Sequence, residues 1–406
     1  MREIIDSVFI ILLSLSILAL LHSYLFYPLF VYIIARLRTQ KLIEYQNVQH
    51  PELPFVSIIM PVHNEEKLIE EKINSLASLA YPKDKIMWFI GSDNSTDGTN
   101  EILRSYESKG HPARFFYLAT RTGKPGVVNY LYNESLNWKT NSKNHINLFT
   151  DASVMLKEDT LFQLVKYFKD ERIGMVDACM LNKGIKKENI SISESTYVSA
   201  EVKLKQWESK AFLNMIGPFG GCFALRSNYF EPIPSNFLVD DFFLCMSMFS
   251  KGGKAINSLD AISYETVSQE IKEEFRRKAR ISAGNLQNLT HFFKLWFPPF
   301  NLLAFCILSH KILRWFGPFF ILLIGISLLY LDLSTGAKIY NIGLAGFICF
   351  FVFIPLLELL FKYLHIQNII TKNINYFILM NLALCKGFID YTKGIKSNVW
   401  RPTKRY

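Results

Sequence analysis

Asn147-Leu148-Phe149-Thr150-Asp151-Ala152-Ser153 is the stretch that decides how this chain folds. The apolar run Ile146 to Phe149 is long enough for a buried strand, and it ends abruptly in a carboxylate. An acid at the carboxyl end of a strand stands where open α/β sheets bind their ligands. An Asp there can equally cap the turn into a following helix. The stretches around it separate the two readings.

Upstream, the proline-bounded linker Pro51 to Pro54 leads into Val56-Ser57-Ile58-Ile59-Met60, which reads as a buried strand stopping at Pro61. Pro61-Val62-His63-Asn64-Glu65-Glu66 then opens a helical pattern of Leu68, Ile69, Ile73, Leu76 and Leu79, with Asn64 as its expected N-cap. A second strand, Ile86 to Ile90, runs into Gly91-Ser92-Asp93-Asn94-Ser95-Thr96-Asp97-Gly98-Thr99, and Ile102 and Leu103 start the next helix. A third strand, Arg114 to Leu118, precedes Arg121-Thr122-Gly123-Lys124-Pro125-Gly126 and a helix through Val127, Val128 and Leu131. Alternating strands and helices predict an α/β fold with a mostly parallel sheet, and each polar motif falls at a strand's carboxyl end. The first turn lacks the G-x-G-x-x-G of dinucleotide folds, and no P-loop is present. A nucleotide site built on carboxylates instead makes sense if a metal ion bridges them to phosphates.

The rest of the 406-residue chain is more apolar than a soluble fold needs, with 50% hydrophobic residues. The excess lies at the two ends. Val8 to Ile34 carries His22 as its one group able to charge near neutral pH and exceeds the roughly 20 residues needed to cross a bilayer. Met1 to Asp6 has one Arg against two acids and no cleavage site follows, so the segment reads as a transmembrane helix, not a signal peptide. Arg36, Arg38 and Lys41 come next and predict a cytosolic domain after it. Phe316 to Leu331 and Tyr340 to Phe361 read as a membrane hairpin. Phe297 to Trp315, with His310, Lys311 and Arg314, reads either as an amphipathic helix in the cytosolic interface or as a short span. Ile374 to Tyr391 is interrupted by Asn375, Asn381, Lys386 and Asp390, and is expected to lie in the interface or re-enter, leaving the tail cytosolic; a third C-terminal span is the competing layout. The predicted organisation is therefore residues 1–50 as helix and linker, 51–290 as a cytosolic catalytic domain, and 291–406 as a membrane region.

The formal net charge of +10 collects beside the membrane segments, at Arg36 to Lys41, Lys272 to Arg280 and Lys393 to Arg405, which suits anionic head groups in the lipid bilayer. No basic, aromatic-studded module points to nucleic acid. The six Cys have no C-x-x-C spacing and read as core filler in a reducing compartment.

In order and spacing, Pro61 to Glu66, Ser92 to Thr99, Gly123-Lys124, Phe149 to Ser153 and Asp240-Asp241 resemble the membrane-bound glycosyltransferases of family 2, which include synthases of cellulose, hyaluronan and poly-N-acetylglucosamine. The resemblance implies a GT-A-type nucleotide-diphospho-sugar domain, an inverting reaction and Mg2+ or Mn2+ as cofactor. It implies that Pro61, Val62, His63 and Glu65 hold the nucleoside of a donor such as a UDP-sugar, that Asp93 meets the base, and that Lys124 and Ala152 line the donor site. Asp151 matches the first Asp of the family's D-x-D motif, and Ser153 stands where the second would be. A hydroxyl is a poorer ligand for a hard cation, so either the metal is held more loosely or another acid, such as Glu265, completes the shell.

The same resemblance places Gly220 and Gly221, in Gly217 to Arg226, beside the acceptor sugar. It makes Asp240 a substrate contact and Asp241 the general base. Helix Ser191 to Leu213 flanks the acceptor or packs its Trp207 in an interface. The family's Gln-x-x-Arg-Trp motif is altered here to Arg277-Lys278-Ala279-Arg280-Ile281, which keeps the Arg as Arg280 to neutralise the leaving diphosphate, has Arg277, also a substrate contact, in place of the Gln, and loses the Trp and with it the aromatic platform. The same cluster could instead contact lipid. The implied function is sugar transfer to a polysaccharide or lipid-linked acceptor at a bacterial inner membrane, with polysaccharide-export partners also in keeping with the family. A non-processive transfer to polyprenyl phosphate is the enzymatic alternative. A non-catalytic nucleotide-sugar-binding subunit would be marked by loss of Asp151 or Asp241, and both are present.

Overall fold

The computed structural model describes residues 1–138, 144–183, 191–266, 271–395 and 398. The end of the basic tail, residues 399–406, lies outside them. The chain begins with a helix in two parts, α1 (Arg2–Leu21) and α2 (Tyr27–Leu37), joined by a π-turn at His22–Phe26.

The central layer is an eight-stranded sheet built from β1 (Phe55–Val62), β2 (Ile86–Asp93), β3 (Ala113–Leu118), β4 (His145–Thr150), β5 (Val154–Leu156), β6 (Ile173–Lys183), β7 (Cys222–Arg226) and β8 (Lys254–Thr266). Its order is β3-β2-β1-β4-β7-β6-β8-β5. The β3-β2-β1-β4 half is parallel, as expected of βαβ units, and β1, β2 and β4 are almost wholly buried while the edge strand β3 is only partly so. β7 then enters antiparallel between β4 and β6, so the sheet is mixed. β1 does not stop at Pro61 but runs through Val62. Its pairing with β4 ends at Ile59, while that with β2 continues to Val62, so Pro61 stands where one neighbour has already left.

The helices of this domain are α3 (Ile69–Ala77), α4 (Thr99–Glu107), α5 (Gly123–Leu136), α6 (Thr160–Val165), α7 (Ser191–Phe212), α8 (Asp240–Ser250) and α9 (Ile271–His291). Asn64 does not cap α3, which starts at Ile69. The Asn64 backbone is left-handed, with φ of 54°, and its side-chain oxygen accepts from the Thr96 amide at 2.8 Å. The residue therefore clamps the first polar motif to the second.

The C-terminal part holds α10 (Phe293–Trp296), α11 (Leu302–Ile307), a π-turn at Leu308–Ile312, α12 (Leu313–Trp315), α13 (Gly317–Thr335), α14 (Lys338–Ile348), α15 (Ile354–Tyr363) and α16 (Ile369–Thr392). Three helical stretches among the described residues are long and apolar enough to cross a membrane: Arg2–Leu37, Gly317–Thr335 and Lys338–Tyr363. α16 is not one of them. Its second half packs along α9, where Ser282 Oγ donates to the Leu384 carbonyl at 3.1 Å and Thr290 Oγ1 lies 2.8 Å from the Tyr391 hydroxyl.

The 302–315 segment differs from the amphipathic surface helix expected of it. His310 is fully buried, and Lys311 and Arg314 turn inward to Glu201 of α7 instead of outward to head groups. An acid on α7 supplies what a head-group phosphate would have supplied. Trp207 on the same helix packs edge-on against Tyr32 of α2 with ring centres 5.0 Å apart, which makes it an interface residue.

Candidate active site

The carboxyl ends of β1 and β4, the loop before β7 and the starts of α8 and α9 meet at one cavity of about 710 Å³. Pro61, His63, Glu65, Lys124, Asp151, Ala152, Ser153, Gly220, Gly221, Asp240, Asp241, Glu265, Arg277 and Arg280 all face it. Two expected site residues do not. Val62 is buried in the apolar layer beneath. Asp93 is fully buried, and its carboxylate accepts from the Thr122 amide at 2.7 Å, the Thr122 hydroxyl at 3.1 Å and the Gly123 amide at 2.9 Å. Its oxygens are thus taken up at the start of α5 and set the turn that presents Lys124. An anion at a helix N-terminus is the favourable arrangement. The Asp93 carbonyl, in turn, is 2.8 Å from Nδ1 of His63.

β4 delivers Asp151, whose amide donates to the Gly221 carbonyl at 3.1 Å. Beneath that turn lies Lys72 of α3, a residue the sequence did not single out. It is fully buried, donates to Thr150 Oγ1 at 2.8 Å and to the Val154 carbonyl, and burial lowers its ammonium pKa to about 8. Lys72 sits amid the apolar positions Ile69, Ile73 and Leu76, and a lysine in such a stripe was the signal for it. Glu265 lies opposite Val154 in the β5–β8 register, one residue from Ser153.

Lys124 joins the acids. Its ammonium is 2.9 Å from Asp151 and 3.2 Å from Asp240. Burial opposes its charge, yet the two carboxylates hold its pKa above the ordinary lysine value. Asp241 follows at the first turn of α8, and its pKa is raised to about 7, by burial first and by the Asp240 charge next, with Lys124 opposing. Gly220 has a left-handed φ of 87°, and a Cβ there would stand 2.5 Å from Asp241 Oδ2, so no larger residue leaves that carboxylate in place. From α9, Arg280 Nη1 donates to the Leu238 carbonyl at 3.3 Å, and Arg277 is held by Glu274 at 2.9 Å.

No group of three or more His, Cys, Asp or Glu able to hold a metal ion is found among the described residues. What is present is a hard oxygen set, Asp151, Asp240 and the Ser153 hydroxyl, with an ammonium already bridging the two carboxylates. That set fits a divalent cation whose shell is completed by diphosphate oxygens and water, not one held by protein alone.

Comparison with known proteins follows the same lines. The sequence model described as "Glycosyl transferase family 2" matches residues 57–233, and that described as "Glycosyl transferase family group 2" matches residues 151–380, more than half of the chain. A probable glycosyltransferase of Bacillus subtilis, YdaM, is 24% identical over 60% of this chain and 59% of its own length. A beta-monoglucosyldiacylglycerol synthase of Nostoc sp. is 27% identical over 45% of this chain and 36% of its own. The chain thus spans between about a third and three-fifths of these curated relatives. A mannosyltransferase from Pyrobaculum calidifontis, solved with GDP-Man and Mn2+, matches with a TM-score of 0.67 at 20% identity, covering 94% of this chain and 99% of that one. The fold is the GT-A fold, and the chain belongs to glycosyltransferase family 2.

Proposed function

We propose that this protein is a membrane-anchored, inverting glycosyltransferase that moves a sugar from a nucleotide-diphospho-sugar to an acceptor presented at the bilayer. The observation that carries the reading is that a single cavity is lined both by Asp151, Asp240, Asp241, Glu65 and Lys124 and by Asn373, Tyr376 and Asn381 of α16. An acid-rich pocket suits a metal-bound diphosphate, and an opening toward membrane helices suits an acceptor held by lipid.

In this reading Pro61, His63 and Glu65 receive the nucleoside, and Asp151 and Ser153, with Asp240 beside them, would hold Mg2+ or Mn2+. When bound, such a cation supplies positive charge to the leaving diphosphate. Arg277 and Arg280 add fixed charge at that end. The acceptor hydroxyl attacks the anomeric carbon as its proton passes to the Asp241 carboxylate, and the carbon–oxygen bond to phosphate breaks with its electron pair on the nucleoside diphosphate. A base with a pKa near 7 is poised for that transfer at neutral pH.

A lipid-linked acceptor is favoured over a long extruded chain because only three stretches among the described residues qualify as spans and Ile281 stands where processive relatives carry an aromatic residue. By Arg36, Arg38 and Lys41 the catalytic domain faces the cytosol.

The test is incubation of the protein in nanodiscs with nucleotide sugars and Mn2+, following nucleotide release and any lipid-extractable radiolabel. Absence of both with every donor would sink the reading. A cysteine at exposed Ser108, in a background without native Cys, should resist an impermeant maleimide in intact cells and react after lysis.

A further inference from the structure

The altered arginine motif leaves Ile281 facing the cavity where an aromatic ring would offer a surface to a sugar. Another ring faces the same cavity from a different element. Trp315, the last residue of α12, is half-buried and meets Phe242 edge-to-face, with ring centres 5.5 Å apart and an interplanar angle of 75°. Phe242 directly follows Asp241. Around this ring, Glu201 binds Lys311 and also Arg314, the latter at 3.0 Å, and all three line the cavity. Lys311 also reaches the glycine loop, where a Cβ on Gly217 would lie 3.8 Å from its Cε. Asn381 of α16 lines the same space, with its side-chain nitrogen donating to the Phe377 carbonyl of its own helix at 2.9 Å.

We propose that Trp315, Phe242, Glu201, Lys311, Arg314 and Asn381 form the acceptor subsite, with Trp315 as its stacking platform, and that it takes a neutral, hydroxyl-rich sugar carried on a membrane lipid. The inference rests on the glycosyltransferase reading above and narrows its acceptor.

The charge arrangement selects a sugar over a phosphate. Lys311 and Arg314 are matched by Glu201, and Glu208 behind it accepts from the Tyr27 hydroxyl at 2.7 Å and lies 2.7 Å from His310 Nδ1. His310 Nε2 is 2.8 Å from Glu201. Glu201 and Glu208 are thus met by Lys311, Arg314 and, between them, His310, so the cations are already paired and an incoming phosphate would have to displace a buried carboxylate. A polyol finds donors and acceptors fixed in place beside an aromatic face, the usual composition of a specific small-molecule pocket. The π-turn at Leu308–Ile312 lies in the same segment, and such turns recur at functional sites. His22 Nε2, from the π-turn between α1 and α2, is 2.8 Å from Ser309 Oγ, which ties the segment to the first membrane helix. That helix and α16 bring the wall to the bilayer, where a lipid-borne sugar arrives.

The experiment uses full-length protein in nanodiscs with the donor that it hydrolyses and two acceptor probes, dodecyl β-D-maltoside and farnesyl phosphate. Trp315→Ala should raise the KM for the glycoside by about tenfold or more with the donor KM unchanged, and Trp315→Phe should recover most of the loss. Trp315→Leu, closer in volume, decides the matter if the alanine variant no longer binds nucleotide. An unchanged glycoside KM overturns the subsite, as does transfer to farnesyl phosphate but not to the glycoside, or to neither. Wild-type protein that neither binds nor hydrolyses any nucleotide sugar instead defeats the glycosyltransferase reading on which the subsite depends.

Discussion

The two ends of the cavity handle charge in opposite ways. At the nucleotide end, Asp151 and Asp240 share the single ammonium of Lys124, with Asp241 one residue on and Glu65 and Glu265 on the same walls. The acids outnumber their nearest cation, and Asp241 responds by a pKa raised to about 7. At the membrane end each carboxylate is met. Burial alone would push the Glu201 carboxyl up, yet His310, Lys311 and Arg314 hold it well below the ordinary carboxylate range. An unbalanced pocket awaits a positive ligand, whereas a balanced one is already complete and offers only geometry. In the proposed reading the first would take a cation and its diphosphate, the second a neutral group.

The contrast breaks most visibly at Asp151. Asp151→Ala removes the strongest hard-cation ligand of the set, so the gain in nucleotide-sugar affinity on adding Mn2+ should vanish. Titration calorimetry with and without Mn2+ reads this directly, and an unchanged gain would move the cation elsewhere. Ser153→Asp should act in the opposite sense and tighten it.

Asp241→Asn comes next. It keeps shape and hydrogen bonding but cannot take a proton, so turnover should fall about 10²-fold or more with nucleotide affinity retained. Near-normal turnover would disqualify it as base.

At the membrane end the expected loss is one of stability. Glu201→Ala strips two cations and a histidine of their buried partner, at a cost of about 3 kcal/mol or more, seen as a lower thermal midpoint. Glu273→Ala is the control, because its partner Arg276 is largely exposed, and it should cost no more than about 1 kcal/mol. Equal effects would mean that the Glu201 cluster carries no more weight than a surface pair.

The same contrast explains what the sequence could disclose. Asp151, Glu65 and Asp241 were legible because each follows or precedes an apolar element within a few residues, and the chemistry stays local to the motif. Lys124 was legible as a site residue, but its bridge between Asp151 and Asp240 depends on which loops the sheet order β3-β2-β1-β4-β7 brings together. Asp93 does not line the cavity for the same reason: its partners, Thr122 and Gly123, lie 29 and 30 residues away, at the end of a neighbouring strand. The membrane end was hidden more deeply. Glu201 and His310 are 109 residues apart, and His310, Lys311 and Arg314 have the spacing of a helix face that could meet lipid as readily as protein. Only the packing of α7 against the 302–315 segment separates those cases.

The smallest expected effect is also the most specific to the unbalanced end. After burial, the charge of Asp240 is the largest cause of the raised Asp241 pKa, and Lys124 works against it. A base must be deprotonated to act, so kcat/KM should climb with pH through a limb set by the titration of Asp241 in the wild type. Asp240→Asn removes a like charge, which favours ionised Asp241 and moves that limb toward lower pH, by about one unit or less. Lys124→Met removes the opposing charge and should move it toward higher pH, although it also frees Asp151 and Asp240 to repel each other. The two variants are therefore expected to separate in opposite directions about the wild type. A matching experiment at the membrane end, Lys311→Met, should leave the limb where it is, because that cation is matched by Glu201 and does not figure among the causes of the Asp241 shift. If Asp240→Asn and Lys124→Met displaced the limb the same way, or Lys311→Met displaced it as far, the titrating group would not be the carboxylate that these three charges surround.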